Sequence, residues 1–180
     1  MKGFIFTEFL DLVEDKFGLA MVDKIINQSK LKSNGVYTSI GTYDFSEMLS
    51  LINNLSFNTD ISIDDLLLVY SKHLFQVLIK SYPKLIEGFE DPLEFLASIQ
   101  DHIHAEVLKI YPKAQLPDFK TIERAKDRLV LIYTSERALY MLGKGLIDES
   151  LKYFNTKGSV VYEKLNEYGT EVEFIIEKQA

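Results

Sequence analysis

Two groups of residues in this chain have the types and spacing for chemistry. The first lies in "DHIHAEVLKIYPKAQLPDF", residues 101–119, which holds two of the chain's three histidines. The second is "YTSER", where Tyr133, Ser135 and Arg137 stand at every second position as a strand pattern hands over to a helix pattern. In a helix successive residues turn by about 100°, and only positions three or four apart share a face, so His102 and His104 point in different directions. His102 shares a polar stripe with Ser98, Glu106 and Lys109 and is expected in water or at a rim. His104 shares one with Ala97, Val107, Leu108 and Tyr111. An imidazole among such neighbours needs a partner, because a buried polar group left unpaired costs about 1–3 kcal/mol. That partner is either a backbone carbonyl, the ordinary state of a core histidine, or a metal. His73, beside Val69 and Val77, reads as an ordinary core histidine.

In extended backbone Tyr133, Ser135 and Arg137 project to one face. Two hydroxyls and a guanidinium together form a receptor for carboxylates, which Arg can bind bidentately. The alternative is purely structural: Ser135 caps a helix, Tyr133 is core and Arg137 is solvated.

The elements that must position these groups change character along the chain. Helix-period apolar positions run through residues 4–17, with Ile5, Phe9, Leu12 and Val13 as a stripe, and again through 19–29, 44–57, 63–81 and 92–111. "KSNG", "SFNTD" and "SYPKL" punctuate them. From about residue 116 the pattern becomes "DFKTIE", "RAKD" and "RLVLIYTS", a hairpin, then a helix "ERALYMLGKGLIDESLKYFN", then a second hairpin "SVVYEKLNEYGTEVEFII". The expected fold class is α+β: helices first, then an antiparallel sheet of about four strands with a helix against it.

Composition narrows the partners. A chain of 180 residues with 47% hydrophobic content can build one full domain or two tightly packed subdomains. Its formal charge of −7, with no basic run, makes nucleic acid and anionic membrane poor partners. Glu8, Asp11, Glu14 and Asp15 interrupt the opening segment too early for a signal peptide, and no apolar run is long enough to span a bilayer, so a cytoplasmic protein is expected. Cysteine is absent, which leaves histidine, carboxylate or tyrosine for any metal and removes covalent haem attachment through C-x-x-C-H.

The opening "MKG", the helical histidine of "IHAEV", the following "IYP" and "LP", and Tyr-x-Ser-x-Arg in "YTSER" with "GLI" beyond it come in a characteristic order. In that order and spacing they resemble the haem nitric oxide/oxygen binding (H-NOX) family, essentially from end to end. The resemblance implies a single domain over 1–180, with an N-terminal helical subdomain at 1–62 and a C-terminal subdomain of sheet and helices at 63–180. Haem b would be held non-covalently between them. It implies that His104 is the proximal iron ligand and that Tyr133, Ser135 and Arg137 hold the haem propionates. Pro117 matches a family proline that packs against the haem and distorts it, although by itself it reads as loop punctuation before a strand.

The resemblance also addresses the gas. Oxygen on ferrous haem carries partial negative charge and needs a hydrogen-bond donor, whereas nitric oxide bonds strongly without one. In oxygen-binding members the donor is a tyrosine five residues past the arginine of the motif; here that place is Leu142. Tyr140 is two residues earlier, about 200° round the helix, and is expected to face the protein. Ile5, Phe9 and Leu74 align with the rest of the distal wall, and all are apolar. The expectation is a sensor for nitric oxide and carbon monoxide that discriminates against oxygen. The alternatives are an oxygen-binding protein of the same fold and a haem-free interaction module.

An enzyme is not expected. Haem peroxidase or oxygenase chemistry needs polar distal groups or a donating thiolate, and neither is present. The family mechanism implies that nitric oxide, bound trans to His104, weakens the iron–histidine bond and lets the haem flatten and the N-terminal subdomain shift. The resemblance also implies a separate signalling enzyme as partner, a histidine kinase or a cyclic-di-GMP enzyme in trans.

Overall fold

The computed structural model describes residues 1–179. The first helix-period stretches become α1 (Gly3–Phe17), α2 (Leu19–Gln28), α3 (Phe45–Thr59) and α4 (Ile63–Ser81). Gly18, at φ +82°, separates α1 from α2 in a backbone conformation that other residues rarely adopt. Asp44 starts α3 by accepting a hydrogen bond from the Ser46 N–H at 3.0 Å, and Ser62 starts α4 by accepting one from the Asp65 N–H at 3.1 Å. No glycine or proline interrupts α4, which is one continuous helix.

The chain divides into two compact units, Met1–His73 and Leu74 onward. The division falls inside α4. In the first unit the core is built from Phe6, Phe9, Ile25, Met48, Leu51, Leu55 and Tyr70, all fully buried. Each large apolar side chain so buried contributes about 1.5–3 kcal/mol. Ile5, expected on the same stripe as Phe9, is only half-buried.

The second unit contains the rest of α4, a short turn at Pro83–Leu85, α5 (Pro92–Ala97), α6 (His104–Ile110), β1 (Asp118–Arg124), β2 (Arg128–Thr134), α7 (Tyr140–Tyr153), β3 (Gly158–Lys164) and β4 (Glu171–Lys178). Asp91 caps α5, accepting from the N–H groups of Leu93 and Glu94 at 2.8 and 3.1 Å, with Pro92 at the first helical position. The single helix expected over 92–111 is interrupted by a π turn at Ile99–Ile103. A π turn holds about one more residue than an α turn, so the helical frame beyond it is rotated by about 100°. The residues before the turn therefore do not predict the face on which those after it lie.

The strands form one antiparallel sheet in the order β1-β2-β4-β3, with a register shift between Thr121 and Glu123 in β1. Alternation of side chains puts Leu129, Leu131 and Tyr133 of β2 opposite Ile176, Phe174 and Val172 of β4, all buried on one face. Phe95 and Leu96 of α5 and Ile147 and Leu151 of α7 join them in one core. This is the α+β arrangement read from the sequence. The helix expected from residue 136 begins at Tyr140 instead. Ala138 is at φ +49°, and Ser135 uses its Oγ to accept from the Arg137 N–H at 3.2 Å, so local turn bonding displaces the first helical turn. Among the described residues no helix is long and apolar enough to cross a membrane.

Candidate functional site

His104 is the first residue of α6 and is half-buried. Burial pushes its imidazole down to about 4, against the opposing pull of the Asp118 carboxylate. At neutral pH the ring is therefore uncharged, with one N–H and one lone pair. Its Nδ1 faces the side-chain oxygen of Gln100, in the π turn, at 3.3 Å, and the same oxygen accepts the backbone N–H of Phe119, in β1, at 3.3 Å. The rings of His104 and Phe119 lie 6.1 Å apart. Phe119 in turn packs edge-on against Tyr133 at 5.4 Å, so the histidine helix reaches the strand carrying Tyr-x-Ser-x-Arg through one aromatic ring.

Tyr133 ends the buried face of β2. Burial pushes its phenol up, while the Ser135 hydroxyl, the Leu139 backbone and the Arg137 charge pull it back. The three motif residues are thus electrostatic neighbours, although β2 ends at Thr134 and Arg137 lies in the turn that follows, not on extended backbone. Ser135 extends the sheet by donating its N–H to the Thr170 carbonyl at 2.8 Å. Arg137 donates from Nη1 to the Gln115 carbonyl at 2.8 Å and from Nη2 to the Gln115 side-chain oxygen at 2.6 Å. Burial pulls its guanidinium below its ordinary value, with the Tyr133 phenol acting the other way. A fork already aligned on two oxygens has the geometry for a carboxylate. Gln115 belongs to the loop after α6 that also carries Pro117, which is half-buried just before β1.

The remaining candidates are apolar. In the first unit Phe9 is fully buried and Ile5 half-buried. The phenol of Tyr70 packs edge-on to Phe9 with ring centroids 5.5 Å apart and donates its proton to the Ile5 carbonyl at 2.6 Å. In the second unit Leu74 is buried and Leu142, on α7, is half-buried. The ring of Tyr140 lies against Tyr162 at 5.5 Å and over Gly169, where a Cβ would come within 2.7 Å of it. That places Tyr140 toward the β3–β4 hairpin, the direction its helical offset from Leu142 predicts.

The other two histidines differ. His73 is held by the Glu8 carboxylate at 2.9 Å, a satisfied structural histidine. His102 was expected in water, yet its Nε2 is buried without a hydrogen-bond partner and its ring lies 5.4 Å from that of Phe89. Its backbone N–H keeps the α-type bond to the Ser98 carbonyl at 2.8 Å and its ring still acts on the Glu106 carboxylate, so it has not left the polar stripe; what regular spacing did not show is the Phe89 ring packed beside it. Gln100, Gln115, Phe119 and Tyr70 were not singled out from the sequence. Gln100 alone had a local signal there, standing four residues before His104.

Comparison with known proteins supplies the frame for these residues. A family model described as Haem-NO-binding matches residues 2–162. The structure of an Fe(II) unliganded H-NOX protein from K. algicida is 59% identical, with a TM-score of 0.97, covering 100% of this chain and 97% of that one. That of an H-NOX protein from S. oneidensis in the Fe(II)NO state is 26% identical, with a TM-score of 0.90 and full coverage of both chains. The soluble guanylate cyclase gcy-35 of Caenorhabditis elegans is 30% identical over 158 residues, which are 83% of this chain but 22% of that protein. The region shared is a sensor domain and not a catalytic one. A match across nearly the whole chain, on the fold just described, identifies it as a member of the haem-NO-binding, or H-NOX, family.

Proposed function

We propose that this chain is a nitric oxide sensor that binds haem b without covalent attachment, with His104 as the protein ligand to iron. The observation that carries this reading is the state of His104: a half-buried imidazole kept neutral by its surroundings, one aromatic ring away from the Tyr133 strand. The donor set fits the group. A neutral imidazole suits ferrous iron, and the absence of cysteine removes thiolate ligation and covalent attachment through C-x-x-C-H. Tyr133, Ser135 and Arg137 would hold the two propionates, and Pro117 would press on the ring from the same loop as Gln115.

When bound, haem supplies a ferrous centre with one open position for a diatomic gas. The protein's part is to hold His104 and to choose the gas. Leu142, Leu74, Phe9 and Ile5 offer hydrocarbon and no donor, and the phenol beside Phe9, that of Tyr70, already spends its proton on a carbonyl. Such residues favour nitric oxide and carbon monoxide over oxygen, which needs a donor. His104 heads α6 directly after the π turn, so these are the elements that would carry a change at the histidine into the rest of the chain. The reader of that change is a signalling enzyme in trans, a histidine kinase or a cyclic-di-GMP enzyme, in the cytoplasm. The guanylate cyclase relative supports a link to signalling.

The test is an anaerobic absorption spectrum of the purified ferrous protein before and after nitric oxide, carbon monoxide and air. A Soret band that shifts with the first two gases and gives no stable oxygenated form in air is expected. His104→Gly should lose the five-coordinate ferrous spectrum and regain it with free imidazole. Protein that takes up no haem, or a His104→Gly variant with an unchanged spectrum, sinks the reading; a durable oxygenated spectrum sinks its choice of gas.

A further inference from the structure

The side-chain oxygen of Gln100 faces two nitrogens, and one of them removes the usual ambiguity of an amide. A backbone N–H can only donate, so the Gln100 atom 3.3 Å from the Phe119 nitrogen is the oxygen and not the NH2 group. That same oxygen lies 3.3 Å from Nδ1 of His104. It has no proton to give, and so Nδ1 must carry one. A neutral imidazole has a single ring proton, which leaves the lone pair on Nε2. The residue that reads the tautomer is itself anchored, because Gln100 sits in the π turn and Phe119 in β1, a strand at the edge of the sheet.

We infer that Gln100 is a positioning residue for His104, selecting the tautomer that presents Nε2 to iron and setting the strength of the iron–histidine bond. The inference rests on the proposed role of His104 and goes beyond it. An acceptor on the far ring nitrogen raises the basicity of the ligating one, and a charged acceptor does so more than a neutral one. An amide oxygen lies between a carboxylate and no acceptor at all, so Gln100 holds the bond at an intermediate strength. A bond of intermediate strength would hold the histidine helix in the haem-loaded protein and would still yield to nitric oxide.

The experiment measures the iron–histidine stretching band of the ferrous haem-loaded protein by resonance Raman spectroscopy, with Gln100→Glu and Gln100→Met beside the unsubstituted protein. Gln100→Glu should move the band to higher wavenumber and Gln100→Met to lower. On adding nitric oxide the five-coordinate fraction should fall in the first variant and rise in the second. A merely structural role would lower the melting temperature of both variants without opposite spectral shifts. Gln100→Asn, an amide one methylene too short to reach, should follow Gln100→Met and serves if that variant does not fold. A band that stays in place, or moves the same way in Glu and Met variants, overturns the inference while leaving His104 as ligand. Absence of the band in the unsubstituted protein overturns the reading of His104, and this inference with it.

Discussion

Both terminal nitrogens of Arg137 rest on one residue, Gln115: Nη1 on its carbonyl at 2.8 Å and Nη2 on its side-chain oxygen at 2.6 Å. The motif at the end of β2 is thereby tied to the loop that carries Pro117, and the guanidinium is held in one orientation. Preorganisation of this kind reduces the entropy lost when an anion binds.

Arg137 should therefore matter more than Ser135 for retaining haem. A hydrogen bond to a charged group contributes about 1.5–3 kcal/mol and a neutral one about 0.5–1.5 kcal/mol. Arg137→Ala is expected to speed transfer of haem to a haem-free acceptor protein by about 10- to 100-fold, and Ser135→Ala by about 10-fold or less. Equal transfer rates in the Tyr133→Phe, Ser135→Ala and Arg137→Ala variants would return Ser135 to a purely local role in its turn.

The proposed discrimination against oxygen rests on the lack of a donor at the positions named. Leu142→Tyr places a phenol on α7, and oxygen should then dissociate more slowly, by about 10-fold or more if the new bond forms well. Tyr70→Phe should not change oxygen binding, because that hydroxyl already serves the Ile5 carbonyl; its effect is on stability, a loss of about 1 kcal/mol. Stopped-flow oxygen dissociation and urea unfolding separate the two. Oxygen affinity that responds to Tyr70→Phe would show that this phenol reaches the gas.

His102 carries a buried nitrogen with no partner, and that arrangement costs stability. His102→Leu is expected to leave the ferrous spectrum intact and to be neutral or stabilising, by up to about 1–3 kcal/mol in urea unfolding. Loss of haem from this variant would mean that His102, and not only His104, serves the iron.

The start of α5 should be sensitive to acid. Burial acts to raise the Asp91 carboxyl, but the Lys178 ammonium at 2.5 Å and the N–H groups of Glu94 and Leu93 outweigh it and hold it below its ordinary value. A carboxylate depressed in the folded state binds a proton more readily when unfolded, so its contribution is complete above the ordinary carboxylate pKa of about 4 and disappears as pH falls below it. Asp91→Asn keeps a capping oxygen and loses the charge, and Asp91→Ala loses both, at a cost of about 0.5–2 kcal/mol at pH 7. The gap between Asp91→Asn and the unsubstituted protein should narrow as pH falls through that range. Urea midpoints measured at pH 7, 5 and 3 give the answer, and a gap independent of pH would show that the charge of Asp91 is immaterial.

What the sequence by itself determined is whatever a short window encodes. Apolar residues at helical spacing placed α1 to α4, two hairpin patterns placed the four strands, and the order of IHAEV, IYP and YTSER pointed to the H-NOX family. Tyr133, Ser135 and Arg137 were picked out by their spacing, which is local, although β2 ends at Thr134 and Arg137 stands in the turn beyond it. The tertiary structure decided the partners. Arg137 meets Gln115 across 22 residues and Tyr70 meets Ile5 across 65, and no periodicity connects positions so far apart. It decided also the π turn at Ile99–Ile103, where α5, β1 and α7 share a core, the packing of His102 beside Phe89, and the pairing of Gln100 with Phe119. A helix whose hydrogen bonds shift by one residue carries no separate sequence pattern, because the choice between α and π turns is made by the packing around it.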